Sequence, residues 1–167
     1  MSTSIDTWAR RAGLALGLLL ALGAVLSWRV AAEGPAVGAE ARFLAVPPGE
    51  LTVAPDGAFL AARRLQTGGA EASGRLRLAN ITGSPVAVRM RALPSGRDLD
   101  RALRVRVGGV YAGRLGRLRA WTRPFVMGKG GRRVLDVRVW LPASAVGAAA
   151  GAAVDVTVEF RVEPRRG

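Results

Sequence analysis

From Val154 to Val162 the chain reads Val-Asp-Val-Thr-Val-Glu-Phe-Arg-Val, apolar and polar in strict alternation. Successive side chains of a β-strand leave opposite faces of its sheet, so this run suits a strand with one dry and one wet face. The same period of two occurs at Arg75-Leu76-Arg77-Leu78, at Leu103-Arg104-Val105-Arg106-Val107 and at Leu135-Asp136-Val137-Arg138-Val139. Weaker strand patterns lie at Leu51–Ala54, Phe59–Ala62, Val86–Leu93 and Val110–Leu115. Gly, Pro, Asn and Asp mark the turns between them, as in Pro55-Asp56-Gly57, Thr82-Gly83-Ser84-Pro85 and Gly128-Lys129-Gly130-Gly131. About eight short strands with frequent turns predict an all-β fold, an antiparallel β-sandwich of jelly-roll or Ig-like type over residues 50–163. Residues 164–167 form a short tail. Asp98 to Leu103 suits one helical turn capped by Asp98, and Ala143–Ala153 reads as a loop of small residues.

The first 32 residues have a different order. Arg10 and Arg11 close a polar start, Ala12 to Trp28 carry no charge over 17 residues, and Arg29 is followed by Val30-Ala31-Ala32. A basic start, an apolar run and a small-residue end are the parts of a secretory signal peptide. The run also reaches the lower length of a spanning helix, so residues 1–32 read as a cleaved signal or as a retained anchor through residues 12–28. Either way the rest of the chain is expected outside the cytoplasm, secreted or at the cell surface. Residues 33–49 are read as an extended segment ahead of the sandwich.

Side-chain chemistry narrows the function. The chain has no Cys and no His. Thiolate catalysis, His-based triads and His-ligated zinc hydrolysis are therefore excluded. No catalytic, cofactor-binding or metal site is assigned, and none of the carboxylates makes a persuasive one. Asp98 and Asp100 lie two apart, but a calcium site needs more oxygens, and Arg97 and Arg101 flank them. Asn80-Ile81-Thr82 fits the glycosylation pattern, a short motif that chance often supplies.

The formal net charge is +13, and 24 of the 25 basic residues are Arg, Lys129 being the exception. Residues 33–167 keep 22 basic and 11 acidic side chains, a net of +11. Such a bias resembles the codon usage of a GC-rich bacterium. Because many arginines alternate with apolar residues on strands, the simplest reading is a solvated sheet face. A reading in which the charge binds an anionic polymer, lipid or DNA rests on Arg114–Arg123, which holds Arg114, Arg117, Arg119, Trp121 and Arg123. Leu115, Leu118 and Trp121 in that segment also fit an apolar stripe that packs on the sandwich.

The order of motifs resembles the TasA/camelysin family of secreted bacterial proteins. The matching features are the strand Ser73–Asn80 ending in Asn, then Val86–Leu93, then Leu99-Asp100-Arg101-Ala102-Leu103 leading into Arg104–Val107. Next come Tyr111-Ala112-Gly113-Arg114-Leu115 with Leu118, the turn Met127–Gly131, Leu135–Leu141 with Pro142, and Gly151 before the closing strand. The chain departs from the family before that strand, where Ala148-Ala149-Ala150-Gly151 replaces Asn-x-x-Gln-Gly. The resemblance implies a non-enzymatic structural protein of cell surface or biofilm matrix, with self-assembly through strand addition by Arg42–Val53, a segment interrupted by Pro47 and Pro48. Camelysin is classed as a metallopeptidase, an activity for which a chain without His offers no support. The alternative expectation is a basic extracytoplasmic binding module for anionic wall polymer, lipid or extracellular DNA, with no sequence-specific nucleic-acid recognition.

Overall fold

The computed structural model describes residues 38–96, 99–145 and 151–165. The expected signal or anchor over residues 1–32, and Asp98, lie outside the described residues. Among the described residues, ten strands and one short 3-10 helix make up the fold. They are β1 (Ala39–Val46), β2 (Leu51–Ala54), β3 (Gly57–Leu65), β4 (Ala72–Asn80), β5 (Val86–Pro94), β6 (Arg104–Val107), β7 (Tyr111–Arg114), β8 (Phe125–Met127), β9 (Arg132–Trp140) and β10 (Ala153–Pro164), with the helix at Leu115–Arg119. The first sheet has the order β3-β1-β10-β5-β8, and the second has the order β2-β4-β9-β6-β7.

Alternation dictates what is dry. Along β5 every second residue is buried, from Val86 through Val88, Met90 and Ala92 to Pro94. On β10 the buried set is Val154, Val156, Val158 and Phe160. These side chains join Leu76 and Leu78 of β4, Val105 and Val107 of β6, and Leu135, Val137 and Val139 of β9 in one core cluster fed by both sheets. Fully burying one such Val, Leu or Phe contributes roughly 1.5–3 kcal/mol. Leu115 and Leu118 of the 3-10 helix are buried in the same cluster, as the apolar-stripe reading expected, whereas Trp121, the third member of that stripe, is half-buried and outside the cluster.

Two features depart from the expected architecture. The first sheet begins earlier, because β1 pairs on both sides, with β3 and with β10. Ala39, Ala41, Phe43 and Ala45 are all buried, so the sandwich starts at Ala39 rather than near residue 50. The segment Arg42–Val53 is not one strand: β1 ends before Pro47-Pro48, and β2 belongs to the other sheet. Proline lacks the N–H that a ladder needs, which is why the chain changes sheets there. The second departure is direction, since β1 and β10 run parallel while the other seven ladders are antiparallel. A parallel pair needs a long connection, and here the intervening domain supplies it.

Local devices hold the two sheets in place. At Gly74 a Cβ would stand 2.6 Å from the Phe59 carbonyl oxygen and 2.8 Å from Leu60 Cβ, so only glycine lets β3 and β4 approach this closely. Asn80, buried at the end of β4, donates from Nδ2 to the Ser84 carbonyl at 2.9 Å and to the Gly128 carbonyl at 2.8 Å. Its Oδ1 accepts from the Thr82 N–H at 2.9 Å. The side chain thus clamps the turn after β4 to the β8–β9 turn, a buried role that leaves no free amide for a glycan.

Asn80→Ala removes those bonds and strands buried polar groups, so it should lower stability by about 2 kcal/mol in urea denaturation with an unchanged m-value. The exposed neighbour Ile81, changed to Ser, should stay within about 0.5 kcal/mol of the parent. Equal effects at both positions would contradict the clamp.

Candidate functional site

The arginines are not spread evenly over the two outer faces. On the first sheet Arg42, Arg63, Arg64, Arg89, Arg91 and Arg161 share the surface with Glu40, Asp155, Glu159 and Glu163, an excess of two positive charges. On the second sheet Arg75, Arg77, Arg104, Arg106, Arg114, Arg132 and Arg138 stand with Asp136 as the one strand carboxylate. Counting Glu71, just ahead of β4, the second face has an excess of five.

The cause lies in strand spacing. On β10, Asp155, Glu159 and Glu163 are four residues apart and so share a face. Two of them, Glu159 and Glu163, form ion pairs on the first sheet. Arg91 meets Glu159 at 2.8 Å, Arg161 meets Glu163 at 3.2 Å, and Arg89 lies 4.0 Å from Glu163. Strands β4, β6, β7 and β9 carry no comparable row. On the second face Arg75 pairs with Asp136 at 2.8 Å and Arg138 with Glu71 at 3.4 Å. Arg77, Arg104, Arg106, Arg114 and Arg132 have no ion-pair partner among the described residues.

Register places like charges opposite one another on both faces, but on the first Arg89 and Arg161 share Glu163 between them. Arg104 lies directly opposite Arg114, and Arg106 directly opposite Arg138. Like charges in such cross-strand positions repel and destabilise the pair. Trp140 neighbours Arg104 across the β6–β9 ladder, and the Arg106 guanidinium lies 5.8 Å from its ring centroid. That contact half-buries the outward tryptophan.

The segment Arg114–Arg123 does not act as one binding loop. Arg119 turns to the Asp100 carboxylate at 3.1 Å. Trp121 lies beneath Arg91 of the first sheet, 4.5 Å from guanidinium to ring centroid. Thr122 donates its N–H to the Met90 carbonyl at 2.9 Å and accepts the Met90 N–H on its hydroxyl at 3.1 Å. Of the segment, Arg114 alone belongs to the second face. Asp100 is buried, with Oδ2 on Arg119 and Oδ1 without a hydrogen-bond partner among the described residues. No group of three or more metal-ligating side chains occurs among the described residues.

The Tyr-x-Gly motif also gains a physical reason. The Tyr111 hydroxyl donates to the Arg114 carbonyl, and its ring crosses Gly113, where a Cβ would stand 2.7 Å from the hydroxyl. Sequence reasoning missed the face as a whole, because which strands share a sheet is a long-range property that spacing along the chain does not carry.

No known family model matches the chain, and no curated protein matches it. Among solved structures, the chain is similar to an ASH/PapD-like domain of human CEP192 (PapD-like domain 7), over 72% of this chain and 92% of that one, at 8% identity and a TM-score of 0.33. At that level of likeness nothing of that domain's role transfers.

Desolvation raises the Tyr111 pKa above its ordinary 10.0, while Arg117 and Arg104 oppose the rise. A proton held more tightly in the folded state stabilises it at lower pH, and that stabilisation is lost as pH climbs past the ordinary value and through the folded one. Tyr111 is the sole tyrosine, so ultraviolet titration of the phenolate reads it alone. The midpoint should lie above 10.0, and Arg104→Gln should move it higher still. A midpoint that falls on removing Arg104 would contradict the arrangement.

Proposed function

We propose that the chain is a non-enzymatic, extracytoplasmic β-sandwich of a bacterial cell surface, secreted or anchored through residues 12–28, which docks on an anionic wall polymer. The observation that carries this reading is the second sheet's outer face, with its seven arginines against Asp136 and Glu71. A solvated face needs polar residues but not unpaired cations in register, and a polyanion relieves that repulsion while releasing its own counterions. Single-stranded nucleic acid calls for several stacking aromatics, whereas the described residues of this face offer Trp140 alone. A lipid surface calls for an apolar fringe, whereas Val134 is the one large exposed apolar side chain among the described residues of this face. An extended polymer of repeating acidic groups fits rows of arginine without either requirement.

The sandwich is proposed to be Ig-like rather than a jelly roll, because its first and last strands lie parallel in one sheet while a jelly roll is built from antiparallel Greek keys. The fibre-forming structural role implied by the TasA/camelysin resemblance is the second reading. It is supported by β1, the strand at the N-terminal end of the sandwich and partner of β10 in parallel register, the element that exchange between copies would move.

Retention of the full-length chain on immobilised polyphosphate, followed against salt, tests the docking face. Replacing Arg77, Arg106 and Arg132 with Gln should lower the slope of log affinity against log salt by about one for each phosphate no longer neutralised. Replacing Arg42, Arg63 and Arg161 of the first face should leave it nearly unchanged. Equal losses of affinity from the two sets would overturn the assignment.

A further inference from the structure

Clefts among the described residues include two that are lined by charges of both signs and one lined by positive charges alone. The cleft on the first sheet sets Arg42 and Arg63 against Glu40 and Asp155. The cleft along β4 and β9 sets Arg75 and Arg138 against Asp136 and Glu71. The cleft with one sign of charge, of about 310 Å³, is lined by Arg101, Arg104 and Arg114 with Pro142, Ser144 and Ala145, and no carboxylate is among its described lining residues.

Its arginines come from three elements that the core holds still. Arg101 lies in the turn closed by the Leu103 N–H on the Leu99 carbonyl at 2.8 Å. Arg104 opens β6 and Arg114 ends β7, and the Leu115 N–H donates to the Leu103 carbonyl at 2.9 Å just beside them. Ser144 stands in the turn closed by the Ala145 N–H on the Pro142 carbonyl at 2.9 Å. Each element is pinned by a leucine at most 1% exposed: Leu99, Leu103, Leu115 and Leu141. The guanidiniums are thus carried on fixed backbone, and Arg104 faces Arg114 across the ladder at an unfavourable like-charge position. A guanidinium presents its donors as a planar fork matched to oxyanions.

From this arrangement we infer that the cleft binds a tetrahedral phosphate-class oxyanion, a free phosphate or the phosphate group of a polymer or lipid. Three forks and a hydroxyl suit an anion with three or more acceptor oxygens, and the like-charge pair is relieved when it is filled. The identity of the natural ligand as polymer rests on the docking reading above. The site itself does not.

The test is a titration of the full-length chain in neutral detergent with inorganic phosphate at constant ionic strength, read from the arginine Nε–H signals by NMR. Saturable shifts should appear at Arg101, Arg104 and Arg114. Arg104→Gln with Arg114→Gln should abolish them, while Arg42→Gln with Arg63→Gln on the first face should leave the affinity within about twofold, since distant sites act independently. The Arg104/Arg114 variant should melt no lower than the parent without phosphate, because it removes a repulsive pair, and phosphate should raise the melting temperature of the parent alone. Non-saturable shifts, shifts on both faces alike, or undiminished binding by that variant would overturn the site. Displacement of phosphate by polyphosphate but not by phosphatidylglycerol in mixed micelles with the same detergent supports the polymer. Displacement by phosphatidylglycerol alone overturns the polymer reading and leaves the oxyanion site standing.

Discussion

An apolar layer built from alternate residues of two sheets leaves the charged side chains of those strands little choice but the outer faces. That layer runs from Phe43 and Val156 on one side to Leu76 and Leu135 on the other, and its members are almost fully buried. The partition of charge between the faces follows from which strand joins which sheet. Arg133 is an informative exception. It stands in register with the buried side of β9, at the start of the strand, and there it caps the ring of Phe125 at 4.5 Å instead of entering the core.

Sheet membership therefore turns a bland excess of arginine into a polar arrangement. β10 supplies three of the four carboxylates on the first face, and Glu159 and Glu163 pair with Arg89, Arg91 and Arg161, which leaves Arg42, Arg63 and Arg64 without an ion pair among the described residues. Exposed pairs of this kind add little stability, typically a fraction of a kcal/mol, but they do remove net charge from the surface. The second face lacks an equivalent strand. Its cations stand opposite one another, and the cost of that arrangement within the monomer is the physical reason to look for an external anion.

Much of the fold is legible in the sequence because strong alternation survives without knowledge of partners. The pattern marks β2 with its full bounds, encloses β6 and β7, and marks β3, β4, β5, β9 and β10 at their cores, along with the packing of Leu115 and Leu118. β1 escapes it because its buried positions are Ala39, Ala41, Phe43 and Ala45, and alanine gives a faint apolar signal, while Leu44 and Val46 occupy the opposite side. β8 escapes because three residues are too few to show a period. At β3 the exposed pair Arg63-Arg64, with Arg64 at φ 57°, breaks the alternation, and the register against β1 shifts there. The basic face and the cleft are hidden for a different reason. Arg101, Arg104 and Arg114 share a cleft only because a turn and a hairpin bring them together.

The central claim is that the second sheet's outer face is the working surface. Arginine modification by phenylglyoxal, mapped by mass spectrometry with and without bound polyphosphate, tests it residue by residue. Protection should gather on Arg77, Arg104, Arg106, Arg114 and Arg132, with Arg42, Arg63 and Arg161 as reactive as in the free protein. Protection shared equally between the two faces, or confined to the first sheet, would contradict the account.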